Sequence, residues 1–147
     1  MLELGCGNSP DALGFYLNSY NQAALLPLLV GVDHDPKTLT TYRTPSFYLL
    51  QADIAYLPLH TQFDLVISRH PDIDRHPKAW QEAFILAPDL LATNGILLVT
   101  VYSLPEFERI KGWLTSTKLA ELSIATERLV PSGLQGRDRF ILCWWNS

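Results

Sequence analysis

The chain has 147 residues, 48% of them hydrophobic and 18% charged, and a formal net charge of −4; that length fits one domain able to bury roughly 70% of its unfolded surface. The negative balance argues against broad nucleic-acid binding, which needs a basic face to neutralise phosphates, and no apolar run approaches the roughly 20 residues of a membrane-spanning helix. The start of the chain lacks the basic region and cleavage site of a secretory signal. Cys6 and Cys143 form neither a Cys-x-x-Cys ligand pair nor a disulfide framework, so the expectation is a cytoplasmic protein without a metal site.

The charge is unevenly placed. Residues 1–68 carry two basic side chains, Lys37 and Arg43, against six acidic ones, whereas residues 69–147 carry nine of each. The whole imbalance therefore sits in the first half, where a cationic ligand would be favoured.

In chain order, Met1 to Leu4 reads as a first strand that runs directly into Gly5-Cys6-Gly7, and Asp11 to about Tyr20 as a short helix with Pro10 and Asp11 at its start. Asn18 to Gln22 reads as loop. Leu28 to Val32 is a continuous apolar run, as a strand covered on both faces requires. Asp35 is placed to cap a short helix with Pro36 at its first position, which Thr44-Pro45 ends. Phe47 to Gln51 and Phe63 to Ser68 give the third and fourth strands. A helix follows from about Pro77, with Trp80, Phe84, Ala87 and Leu91 on one face and Pro88 expected to kink or split it. Asn94-Gly95 turns into a fifth strand, Ile96 to Tyr102, and Pro105 to about Leu114 is a further helix. Ala125 to Val130 and Phe140 to Trp145 flank a Pro131 to Gly136 turn and read as an antiparallel hairpin. Trp144 and Trp145 are expected at the core and edge of the sheet.

Two glycines in the first turn let the backbone reverse tightly and approach a ligand. Acidic residues recur at the ends of the next strands, in Gly31-Val32-Asp33 and in Ala52-Asp53-Ile54, ahead of Phe63-Asp64-Leu65-Val66-Ile67. Together with Leu90 to Thr100, which reads as helix, turn and strand, these segments resemble the class I S-adenosylmethionine-dependent methyltransferases over most of the chain. The resemblance implies an α/β, Rossmann-like three-layer sandwich. Its mostly parallel seven-stranded sheet would have the order 3-2-1-4-5-7-6, with strand seven antiparallel. It also implies S-adenosyl-L-methionine as cofactor and methyl transfer as the activity.

Residue by residue, the resemblance implies that Gly5, Cys6, Gly7 and Asn8 bring backbone to the methionine part of the cofactor, with Glu3 as the acidic residue that opens the motif. Asp33 would accept charge-assisted hydrogen bonds from the ribose hydroxyls; its structural alternative, capping the next helix, falls better to Asp35. His34 aligns with a position that packs on adenine and reads equally as an exposed loop histidine. Asp53 would accept from the adenine amino group with Ile54 in apolar contact, or form an Asx turn ahead of Ile54. Ser68, at the end of the fourth strand, is placed beside the cofactor.

Arg69-His70-Pro71 recurs as Arg75-His76-Pro77, crowding Arg69, His70, Arg75, His76 and Lys78 into ten residues after the fourth strand, at the carboxyl edge where open α/β sheets bind ligands. His70 is the candidate base, its unperturbed pKa lying near neutrality, and Arg69 the candidate grip on an anionic acceptor. Each reads alternatively as a loop residue without chemistry, and Arg75 as a surface partner of Asp72 or Asp74.

Three departures qualify the resemblance. Ser9 stands where many members carry a third glycine, and Ser68-Arg69-His70-Pro71 replaces the Asn/Asp-Pro-Pro-aromatic motif of amino-group methylases of nucleic acids and glutamine. The chain also starts inside its first strand, without the usual N-terminal helical lid, which leaves a truncated start, a partner subunit or second copy over the site, or an open site. The acceptor expected is a small molecule. A non-catalytic cofactor-binding subunit is the alternative, and a nicotinamide-dependent dehydrogenase a third class, disfavoured because Pro10 occupies the third glycine of the dinucleotide fingerprint.

Overall fold

The computed structural model describes residues 1–7, 28–37, 48–115 and 140–146. Strands β1 (Leu2–Leu4), β2 (Val30–Asp33), β3 (Tyr48–Gln51), β4 (Phe63–Arg69), β5 (Leu91–Val101) and β6 (Phe140–Trp145) form one sheet in the order β3-β2-β1-β4-β5-β6. All neighbours pair in parallel except β6, which runs antiparallel to β5 from Val101↔Phe140 to Ile96↔Trp145. The expected order is reproduced wherever it can be compared. The expected strand at Ala125 to Val130, the Asp11 to Tyr20 helix, the Asn18 to Gln22 loop and the Pro131 to Gly136 turn lie outside the described residues.

Alternation along the strands assigns each side chain to a face. Leu2, Leu4, Val30, Val32, Leu97 and Val99 form one core with the buried stripe Trp80, Ala83, Phe84, Ala87 and Leu90 of helix α1 (Pro77–Leu90) and with Phe107, Ile110 and Leu114 of α2 (Leu104–Thr115). Met1, Leu29 and Ile67 pack on the opposite face with Leu65 and Leu98. Trp144 is buried in the first core and Trp145 is exposed at the last strand, as expected.

Two boundaries depart from the sequence reading. Helix α1 runs unbroken through Pro88 and is neither ended nor divided there: Pro88 sits in the last turn, two residues from Leu90, where one missing amide donor costs little propagation. Leu91, expected on the helix face, is instead the first residue of β5, with extended backbone and paired to Phe63; the register then shifts, so that Leu65 pairs with Ile96. The strand thus starts before the Asn94-Gly95 turn, not after it. Asn94 takes φ 64°, and a Cβ at Gly95 would lie 2.8 Å from the Ala92 carbonyl oxygen. Asn146 closes this irregularity: its Nδ2 donates to the Leu91 and Ala92 carbonyls at 3.2 Å each, and its backbone N–H donates to Gly95 O at 2.9 Å. The turn is fixed by the residue that follows β6, a long-range contact with no local sequence signal.

Candidate functional site

The carboxyl ends of β1, β2 and β4 meet where the first turn reverses. Gly5 and Gly7 both take left-handed backbone, φ 65° and 60°, a conformation glycine adopts without the Cβ clash of other residues. They differ in surroundings. A Cβ on Gly5 would fall 2.9 Å from Cη2 of Trp80, whereas among the described residues a Cβ on Gly7 would meet nothing within 4 Å. The loop is therefore pressed against α1 at Gly5 and open at Gly7.

Asp33 organises the junction. Its side chain is mostly buried; Oδ2 accepts from the Gly7 N–H and Oδ1 from the Asp35 N–H, each at 2.9 Å. Asp35 in turn accepts from the Lys37 N–H at 2.9 Å, the helix-capping role expected of it. Because each carboxylate oxygen carries two lone pairs, these bonds leave acceptor capacity on Asp33. The end of β3 is tied in by the Ala52 N–H donating to Asp33 O at 3.0 Å. Asp53 forms the Asx turn named as its alternative, accepting from the Ala55 N–H at 3.0 Å and capping a short 3-10 turn, Ile54–Tyr56.

These elements enclose a cleft of about 420 Å³ lined by Gly5, Asp33, His34, Asp53, Ile54 and His70. Six of the residues expected at the site thus share one cavity. It also takes in Asp72, Arg75, His76, Ala79 and Trp80, and Asp53, Arg75, His76 and Ala79 continue into an adjoining cleft of about 380 Å³ beside Tyr56, Lys78 and Glu82. His34 and His76 face each other with ring centroids 5.8 Å apart, and His34 Nδ1 lies 3.5 Å from Asp33 Oδ1. Three carboxylates, three imidazoles and one guanidinium line the main cleft, a set that favours a ligand carrying positive charge.

Other expected residues lie elsewhere. Ser68 is fully buried in the sheet between Leu4 and Val99 and is not among the cleft-lining residues. Cys6 is buried behind the loop, its backbone N–H donating to Val32 O at 3.1 Å. Burial, reinforced by Glu3 and Asp33, pushes its thiol up to about 12, so it is a neutral packing group at physiological pH. Asn8 lies outside the described residues.

Arg69 does not line the cleft. Its Nε donates to Glu3 Oε1 at 3.1 Å; the Arg69 side chain is 21% exposed and that of Glu3 1%. The pair lies between neighbouring strands on the sheet face opposite α1, so Arg69 balances a buried carboxylate under the glycine loop and does not reach toward an acceptor. The remaining cations of the cluster make surface pairs: Arg75 with Asp72 at 3.8 Å and Lys78 with Glu82 at 3.9 Å. Pairs this exposed contribute about 1 kcal/mol or less and yield readily to a ligand. Asp74, the other surface partner considered for Arg75, binds Arg109 of α2 at 3.0 Å instead.

Sequence reasoning missed two residues. Trp80 was legible as a core-facing helix position, yet it also lines the cleft and supports Gly5. Tyr102, just past β5, stacks on His70 with ring centroids 3.7 Å apart and planes 7° from parallel. The only available signal was its place at the carboxyl end of the strand next to β4.

No protein-family model matches the chain, and no curated protein matches its sequence. Solved structures do. SAM-bound CalS10, an amino pentose methyltransferase of calicheamicin biosynthesis from Micromonospora echinaspora, is similar at TM-score 0.71 and 15% identity over 99% of this chain and 82% of its own. The N-methyltransferase NodS from Bradyrhizobium japonicum WM9, in complex with S-adenosyl-l-homocysteine, gives 0.67 and 16% over 99% and 76%. An rRNA methylase from Streptococcus thermophilus gives 0.70 and 14% over 99% and 85%. At these identities the likeness establishes the fold. The chain has the Rossmann-like fold of the class I S-adenosylmethionine-dependent methyltransferases.

Proposed function

We propose that the protein binds S-adenosyl-L-methionine in the 420 Å³ cleft and transfers its methyl group to a small-molecule acceptor. The observation that carries this reading is the convergence of the left-handed Gly5–Gly7 turn with the Asp33 carboxylate at the ends of adjacent parallel strands. The residues present suit the cofactor: an open backbone at Gly7, a mostly buried carboxylate with acceptor capacity at Asp33, and an acidic lining matched to a sulfonium.

In this reading Asp33 accepts from the ribose hydroxyls, and Asp53 and Ile54 flank the adenine with His34 at the mouth. Gly5 and Gly7 present backbone to the methionine part, while Glu3 with Arg69, and buried Cys6, hold the turn from behind. The cofactor supplies an electrophilic methyl, and aligning an acceptor with it provides much of the rate effect by proximity. His70 follows β4 and lines the same cleft as Gly5, and in this reading it takes the acceptor's proton; Arg75 is the cation that would hold an anionic acceptor. The amino pentose methyltransferase neighbour supports a small acceptor, and the net charge of −4 weighs against nucleic acid. A cytoplasmic location completes the reading.

The test is transfer of label from methyl-labelled S-adenosylmethionine to a panel of amino sugars, amines and hydroxy acids. Transfer that disappears in Asp33→Ala supports it. Tight S-adenosylhomocysteine binding with no transfer to any acceptor class favours the non-catalytic cofactor-binding subunit.

A further inference from the structure

We infer that Tyr102 is a positioning residue, whose ring holds the His70 imidazole in the orientation it presents to the cleft; the inference rests on the proposed function for what His70 then does. His70 follows β4 directly and takes φ 50°, a left-handed backbone uncommon outside glycine, so its side chain leaves the strand in a direction the strand itself does not fix. Two of its contacts come from β5 and the residue just past it. The His70 N–H donates to Thr100 O at 2.9 Å, and its ring lies on that of Tyr102 at 3.7 Å with planes 7° apart. Tyr102 is not among the residues lining the cleft, whereas His70 is. It therefore acts through His70.

Tyr102 is itself held. Glu106 Oε2 accepts from the Tyr102 N–H at 3.0 Å and from the Ser103 N–H at 2.8 Å and hydroxyl at 2.9 Å, joining the end of β5 to the first turn of α2. From that helix Arg109 reaches Asp74 at 3.0 Å, tethering the far side of the loop that begins at His70. The loop is thus fastened to β5 and α2 at both ends. Stacking confines the imidazole plane, and a pre-oriented group loses less rotational freedom when a ligand arrives.

The test uses the full chain, with S-adenosylhomocysteine as probe. With four histidines in the sequence, the His70 imidazole signals can be assigned by their loss in His70→Asn, which tolerates left-handed backbone. Ring-current shielding is expected to move them upfield in the wild type and in Tyr102→Phe and to release them in Tyr102→Leu. By calorimetry, Tyr102→Leu is expected to weaken S-adenosylhomocysteine binding by about threefold to tenfold, with no further effect in the His70→Asn background. Identical His70 signals in wild type and Tyr102→Leu would overturn the inference, as would an equal affinity loss with and without His70. A wild-type protein that binds no S-adenosylhomocysteine defeats the methyltransferase reading, and the spectra alone then decide the stack.

Discussion

The Gly7 N–H donates to Asp33 Oδ2 at 2.9 Å, so the carboxylate that ends β2 fastens the tip of the glycine turn that ends β1. In the proposed function, binding and folding are coupled at this residue. Asp33→Ala removes the acceptor of two backbone donors, Gly7 and Asp35, and is expected to lower stability by about 1 to 3 kcal/mol and cofactor affinity by about tenfold to a hundredfold. Thermal unfolding with and without S-adenosylhomocysteine separates the two effects. An Asp33→Ala protein as stable as the wild type would show that the carboxylate does not hold the turn.

Gly5→Ala and Gly7→Ala should differ in cost although both residues have positive φ. Gly7 has space for a methyl group among the described residues, so alanine there is expected to carry only the backbone penalty of about 1 to 2 kcal/mol. At Gly5 the added Cβ also meets the Trp80 ring at 2.9 Å, adding overpacking of about 1 to 3 kcal/mol. Urea unfolding should rank Gly5→Ala as the less stable; equal midpoints would contradict the close approach of Trp80.

Arg69 and His70 are adjacent yet should separate cleanly. Arg69→Ala removes the guanidinium that faces the buried Glu3 carboxylate and is expected to cost about 3 kcal/mol or more of stability. His70→Asn should leave the fold intact and change S-adenosylhomocysteine affinity by less than about tenfold, while lowering turnover by about a hundredfold once an acceptor is found. A His70→Asn enzyme with full turnover returns the residue to a structural role.

Much of the fold was legible because parallel strands covered on both faces write themselves as short apolar runs, and Leu28 to Val32 and Leu65 to Ile67 are such runs. The start of β5 was not, since Leu91 continues the helical periodicity of Trp80, Phe84 and Ala87 and only its pairing with Phe63 makes it a strand. At the site, glycine and aspartate at strand ends carry their geometry locally, and Gly5, Asp33 and Asp53 line one cleft. Arg69 was misjudged because alternation turns it to the opposite face, where Glu3 lies on the next strand. The stack of Tyr102 on His70 joins residues 32 positions apart, and no local pattern announces it.

The Cys6 thiol, held up to about 12 by burial against an ordinary value near 9, should resist alkylation in the folded protein at pH 8 and react at once in urea. Above pH 9 the unfolded chain ionises at Cys6 while the folded chain does not, so this residue's contribution to stability should decline from pH 9 towards 12. Rapid labelling of native Cys6, read by mass spectrometry, would mean that the loop opens.

Calorimetric titration of the wild-type protein with S-adenosylhomocysteine, S-adenosylmethionine and NADH tests the central claim most directly. Saturable one-to-one binding of both sulfur ligands, weakened by Asp33→Ala, with no heat from NADH, is the expected result. Silence towards both sulfur ligands together with tight binding of NADH would contradict it.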